Sequence, residues 1–471
     1  MQSQTPSSRA TTSLEFGESL SRRNLLKAAT VIGAVSAVGL TACSSSSTPS
    51  ASASPVPSPT TPKTVSNAEE AGQLVLEYAK YGAAIGSYAI AGALIHNATG
   101  NVIGAVASDV LFAIQNRVNQ FLEQQVTSGS SESFPYDPTA HGERQLTYWY
   151  FENRTRLNLP DAKDITLVTS LDPCAMCTGT VLAAGFNVGV FAIDPFAGIN
   201  FNSSGAFTDL PEPLRAQAKR RFGYYGTQGG RAYVGGPDVA FSGTLANQST
   251  LDDCYNTYKA SADNVLASRK DSDTDPSQLL DPATNPEASA IISAYQKACP
   301  SAFTIKLKDY RRPTPELQAL LTKLRDSTPG ATSAVAYIDP FGNVLSTFAD
   351  SLAQDPVATA LQNVIQTYSQ TRFNLTNSAS THDIAVKSLT SAKYGTFVFL
   401  NAPSPRVATS FADLGAFGST VGTKAPVPSP SPMQFFDPPL RGTVTELRKV
   451  IAGMPPLYSQ LVAINPQPVK Q

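Results

Sequence analysis

The globular part of the hydrophobic pattern starts near Asn67. Over residues 67–83, Leu74, Tyr78 and Tyr81 recur at i, i+4 and i+7, which predicts a helix. Two apolar triplets follow, Ala93-Leu94-Ile95 and Val102-Ile103-Gly104, on either side of Asn97-Ala98-Thr99-Gly100. That spacing predicts a β-hairpin turning at Thr99-Gly100. Residues 108–125 and 140–150 carry helical stripes, and residues 165–171 and 188–193 read as strands on either side of a helical segment. Strands alternating with helices predict an α/β layered fold with a mixed sheet flanked by helices.

Upstream of Asn67 the pattern is different. Arg22-Arg23 and then Lys27 precede an apolar run over residues 28–40. The run is shorter than the roughly 20 residues a spanning helix needs and has the proportions of a signal-peptide core. Arg22 and Arg23 resemble the twin-arginine export signal, and Leu40-Thr41-Ala42-Cys43 resembles a lipoprotein processing site, which implies lipidation at Cys43. The competing reading is an N-terminal membrane anchor with an incidental cysteine. Residues 44–65 are mostly Ser, Thr, Ala and Pro, a composition that buries no core and forms an extended tether. A second Pro-rich stretch, 424–432, reads as a loop.

Three short blocks recur in the same order. Residues 99–103 (TGNVI) match 341–345 (FGNVL), 137–140 (DPTA) match 355–358 (DPVA), and 167–173 (LVTSLDP) match 398–403 (VFLNAP). We read two copies of one fold, against chance similarity between two α/β domains. The expected boundaries are 1–43 signal, 44–65 linker, 66–265 first domain, 266–314 connection, 315–455 second domain and 456–471 tail.

Composition narrows the function classes. The 471 residues hold 35 Lys+Arg against 36 Asp+Glu, and only 15% are charged. This excludes a polyelectrolyte and argues against a basic nucleic-acid binder, because phosphate contacts need excess Lys and Arg. Without residues 1–42 the balance is 31 against 34, a net charge of −3. Five cysteines are too few for a disulfide scaffold. The three histidines are His96, His141 and His382, of which His96 and His382 read as surface residues.

The chemistry concentrates in two motifs, Asp137-Pro138-Thr139-Ala140-His141-Gly142-Glu143 and Asp172-Pro173-Cys174-Ala175-Met176-Cys177. Cys174 and Cys177 have the spacing of two thiolates on one ion, in the first turn of a helix that follows a strand. His141 adds a third ligand and leaves a fourth position open, the layout of a catalytic zinc site. Glu143 reaches the open position without being a ligand and can move protons there. A disulfide or redox pair at Cys174 and Cys177 would explain neither His141 nor Glu143. Cys254 and Cys299 are left over, as a possible disulfide or as buried thiols.

His-x-Glu followed by Pro-Cys-x-x-Cys resembles the signature of the zinc-dependent, cytidine deaminase-like family. Together with residues 190–198 (VFAIDPFAG), it resembles the branch of transfer-RNA adenosine, guanine and yeast-type cytosine deaminases. The resemblance spans about residues 91–198. It implies a three-layer fold, Zn2+ held by His141, Cys174 and Cys177, and Glu143 as the catalytic proton shuttle. Gly142 departs from the family's usual Ala or Val. The family's substrate-binding Asn has no counterpart near Ser108-Asp109, so substrate residues stay unassigned. In the second copy Thr359 stands for His141, Leu361 for Glu143, Ser404 for Cys174 and Val407 for Cys177. That half is expected to be metal-free and, since the family pairs its domains, to act as an internal dimer partner.

The sequence therefore predicts an exported, lipid-anchored zinc hydrolase on the outer face of a bacterial membrane, deaminating a small nucleobase or nucleoside and not a nucleic acid. The alternatives are a toxin-like nucleic-acid deaminase and a non-catalytic surface binding protein on the same fold.

Overall fold

The computed structural model describes residues 59–84, 87–103, 139, 141–194, 198–199, 207, 210, 214–228, 231–232, 239–241, 245–268, 278–308, 314–353, 355–390, 392, 395–400, 410–417, 433–436 and 466–468. Arg22, Arg23, Cys43, Ser404, Val407, the 108–125 helix and the 424–432 loop lie outside them. The described residues fall within one unit, Ala53–Gln471.

In chain order the first half runs α1 (Ala68–Ala84), β1 (Gly92–His96), α2 (Gly142–Asn153), β2 (Ile165–Leu171), α3 (Ala175–Ala184), β3 (Asn187–Ala192), α4 (Leu214–Arg221) and β4 (Phe222–Tyr224). A small ribbon of β5 (Thr227–Gln228) and β6 (Arg231–Ala232) follows, then α5 (Gln248–Ser268). The sheet order is β1-β2-β3-β4. β1 is antiparallel to β2, and β3 and β4 are parallel to their neighbours. Alternate residues explain the layers. Ala93, Ile95 and Val168 join one apolar cluster with α1 and α5, while Leu94 and Leu167 join another with α2, α3 and α4. Every residue of β2 is buried, as a central strand requires. The predicted helix, hairpin and strands at 67–103 and 165–193 are thus present. The hairpin's second arm is only an Ile95–Val102 bridge among the described residues.

The second half comprises α6 (Ser289–Ala298), α7 (Pro315–Ser327), β7 (Ala334–Ile338), β8 (Val344–Ala349), α8 (Ala360–Thr376), α9 (His382–Ser388), β9 (Thr396–Leu400), α10 (Phe411–Phe417), β10 (Met433–Phe436) and β11 (Pro466–Pro468). Its sheet order is β11-β10-β9-β7-β8. Val335, Tyr337, Phe397 and Phe399 pack with α6, α8 and α9, and Ala334, Ala336, Val398 and Leu400 with α7. Residues 288–302, from the connecting stretch, supply Ala288, Ile291, Tyr295, Cys299 and Ala302 to this core.

The halves share local geometry at the matched blocks. Gly100 (φ 69°) and Gly342 (φ 90°) both take the left-handed turn. A Cβ at either would meet a backbone oxygen, of Val65 at 2.1 Å or Leu307 at 2.0 Å, so only glycine fits. Asn101 bridges Thr64, and Asn343 bridges Lys306. The next strands differ: β3 is parallel to β2, whereas β10 is antiparallel to β9.

One open choice of the sequence is decided and one expectation is corrected. Cys254 and Cys299 are free thiols and not a disulfide, because each is buried in a different apolar cluster, one per half. His382 is not solvent-exposed. It opens α9 with 6% exposure, and its Nδ1 lies 2.6 Å from the Thr376 carbonyl near the end of α8. His96 does sit at the half-exposed hairpin end, with Nδ1 3.0 Å from Thr99 Oγ1.

Candidate metal centre

Two helix starts converge at the carboxyl end of β2. β2 ends at Leu171, and the Asp172-Pro173 turn delivers Cys174 as the residue capping α3. Its Sγ accepts the Cys177 N–H at 3.5 Å, taking up one of the amides that a helix start leaves free. His141 stands at the same position before α2, in extended backbone (φ −63°, ψ 156°). Its side chain makes no capping bond, so the ring is free to turn toward the thiols. Beneath the turn, Tyr224 donates to Asp172 Oδ1 at 2.8 Å, and Cys174 bridges Gly198. A Cβ on Gly198 would lie 2.3 Å from Asp172 Oδ2 and 2.7 Å from the Asp194 backbone carbonyl oxygen, so a side chain there would force the loop or the carboxylate to shift.

The three side chains meet as the motif spacing predicts. One ligand atom from each of His141, Cys174 and Cys177 lies within 4.8 Å of the others, and all three residues are buried. His141 Nδ1 is 3.7 Å from Cys174 Sγ and 3.4 Å from Cys177 Sγ. Tetrahedral zinc bonds of about 2.0–2.3 Å separate neighbouring ligand atoms by roughly 3.5 Å, so the donor set fits such an ion.

The electrostatics fit as well. Burial opposes ionisation of Cys174, but the Cys177 thiol, the His141 ring and the Cys177 N–H outweigh it and hold the Cys174 thiol well below its usual range. Burial and the Cys174 charge push the Cys177 thiol up. A divalent cation resolves this frustrated pair by accepting both thiolates.

Glu143, at the second position of α2, is 2% exposed. Thr169 Oγ1 donates to its Oε1 across a long 3.5 Å, and Oε2 is buried without a hydrogen-bond partner. A carboxylate oxygen left unanswered in the interior is costly. Burial, with the nearby Cys174 charge, pushes its pKa up to about 6, where a carboxyl can both accept and return a proton near neutral pH.

The sequence singled out these four residues, and the structure brings them together. Sequence reasoning missed Arg144, whose buried guanidinium follows Glu143 directly, because its partner is 271 positions away. Of the second-half counterparts, Thr359 precedes α8 as His141 precedes α2, and Leu361 sits in the α8 core.

No known family profile matches the chain, and no curated protein matches it. Among solved structures it is similar to transfer-RNA deaminases that perform A-to-I editing at the wobble position, with 19% identity over 27% of this chain and 74% of that one, at a TM-score of 0.19. It is also similar to a guanine deaminase from Nitrosomonas europaea, with 16% identity over 42% of this chain and 88% of that one, at a TM-score of 0.25. A third similar structure holds 2,6-diaminopurine, with 18% identity over 42% of this chain and 82% of that one, also at 0.25. These likenesses each cover less than half of the chain.

Proposed function

We propose that the chain is a zinc-dependent hydrolase that deaminates a nucleobase or nucleoside. The observation that carries this is the buried Glu143 Oε2, without a hydrogen-bond partner, beside the three-ligand His141/Cys174/Cys177 group. His141, Cys174 and Cys177 would hold the zinc, which would supply a Lewis acid able to make water nucleophilic near neutral pH. Glu143 takes a proton from that water and delivers it to the ring nitrogen of the substrate. The water oxygen bonds to the amidine-type carbon; Glu143 then takes the remaining proton from the new hydroxyl and passes it to the amine, the carbon–amine bond breaks, and ammonia leaves as the carbonyl forms. His141 and Cys174 stand at two helix starts, where the helix dipoles favour negative charge.

A small substrate is favoured over a polynucleotide by the net charge of −3 after removal of residues 1–42. Arg22-Arg23 and Cys43 support export in a folded, metal-loaded state and lipid anchoring outside the cytoplasm. The matched glycine turns and Thr359 at the His141 position support a second half that is a degenerate copy of the first.

The test is an ammonia-release screen over purine and pyrimidine bases and nucleosides on zinc-loaded protein. One zinc per chain and release from at least one compound are expected. Glu143→Ala should abolish release while zinc is retained; release unchanged by that substitution refutes the mechanism.

A further inference from the structure

Arg144 follows Glu143, and the proposed chemistry does not use it. Its side chain is 1% exposed and heads the fully buried residues by volume. A buried guanidinium survives only where its donors are answered. Nη1 donates to the Gly415 carbonyl of α10 at 2.8 Å. Nε and Nη2 converge on the Tyr148 hydroxyl at 3.0 and 2.7 Å, one turn along α2. Gln362 Nε2 of α8 lies against the same hydroxyl. Arg144 and Gln362 are each the third residue of their helix, so the two halves meet at one phenol through matching positions.

Gly415 has a second contact. A Cβ at Gly179, in α3, would lie 2.1 Å from its backbone nitrogen. The same residue of the C-terminal half therefore touches both helices of the metal centre: α2, bearing Glu143, and α3, bearing Cys177. Phe411 and Leu414 of α10 extend the seam, sharing an apolar cluster with Leu146, Trp149 and Leu182.

We propose that Arg144 is a positioning residue that fastens α2 to the C-terminal half, so that the spacing of Glu143 from the His141/Cys174/Cys177 group depends on that half being docked. The inference rests on the reading of this group as the reactive centre, but its first test does not. Hydrogen exchange on the full, metal-free chain should show α2, α3 and α10 amides exchanging about tenfold faster in Arg144→Met. That is the equilibrium factor of about 1.4 kcal/mol, the low end for a charge-assisted hydrogen bond. The amides of α1, α6 and β7 should not change. Arg144→Lys keeps one donor for Gly415 and should recover part of the protection. Tyr148→Phe removes the shared acceptor and should give the same regional pattern if Arg144→Met does not fold. Unchanged exchange in α3 and α10, or acceleration that includes α6 and β7 equally, overturns the proposal. Zinc affinity by chelator competition provides the second readout. Arg144→Met should bind at least tenfold more weakly, with partial recovery in Arg144→Lys, and equal affinity overturns the proposal. A wild-type chain that binds no zinc refutes the deaminase reading alone, and the exchange pattern then decides the role of Arg144.

Discussion

Gly179→Ala sets two physical effects against each other. Gly179 lies inside α3, where intrinsic propensity favours alanine by about 1 kcal/mol. The added Cβ, however, would lie 2.1 Å from Gly415 N, 2.6 Å from the Leu414 carbonyl carbon and 2.7 Å from Gly415 Cα. These are backbone atoms of another helix and have no rotamer through which to yield. Normal carbon contacts of about 3.5 Å require α3 and α10 to separate by roughly 1 Å. Overpacking of this kind costs about 1–3 kcal/mol, and the separation also stretches the Arg144–Gly415 bond, a charge-assisted contact of about 1.5–3 kcal/mol. The net expectation is a loss of about 1–4 kcal/mol. At roughly 2 °C per kcal/mol, Tm should fall by about 2–8 °C in calorimetry at fixed pH and metal content. Gly72→Ala is the control. It is also helical, but its Cβ would meet side chains, Phe191 Cε1 at 2.9 Å and Thr250 Cγ2 at 3.0 Å, which can shift. Its Tm should change less. A Gly179→Ala chain as stable as wild type would refute the glycine-to-backbone seam between the halves.

Tyr224→Phe deletes the donor to Asp172 Oδ1 and should cost about 1–3 kcal/mol in urea unfolding; since Asp172 anchors the turn to Cys174, zinc affinity should fall as well, and unchanged affinity would separate that carboxylate from the site. Asp339, buried in the second half, has its pKa pushed up to about 7 by burial, against the bonds it accepts from Asn343 and Phe341. The folded state then binds the extra proton, so this contribution is fully present below about pH 4 and is lost as pH rises through 7. Asp339→Asn should therefore gain stability relative to wild type as pH rises from 4 to 8, and a difference that stays constant over that range would contradict the assignment.

The site was legible because its parts are local. Cys174 and Cys177 are three residues apart on one helix start, and His141 and Glu143 sit on another, so short motifs carry nearly all of its geometry. The helices and strands of the first half were legible for the same reason, since β2 and β3 alternate or run apolar over six or seven residues. What was not legible depends on long-range contacts. His382 lies in a polar stretch, and only the Thr376 carbonyl explains its burial. Cys254 and Cys299 allow a bridge on paper, and only the separation of the two cores leaves them as thiols. Arg144 looks like an ordinary helical cation until Gly415 is brought against it. The direction of β10 depends on chain that no periodicity describes.

The seam at Gly415 also changes how the site responds to dilution. Had α10 belonged to a separate molecule, occupancy of the Arg144 contact would fall as the protein became scarce, by simple mass action. Here one continuous chain supplies both faces, so the docking is intramolecular and its effective concentration is fixed by the connection. The spacing of the His141/Cys174/Cys177 group from Glu143 should then be independent of protein concentration.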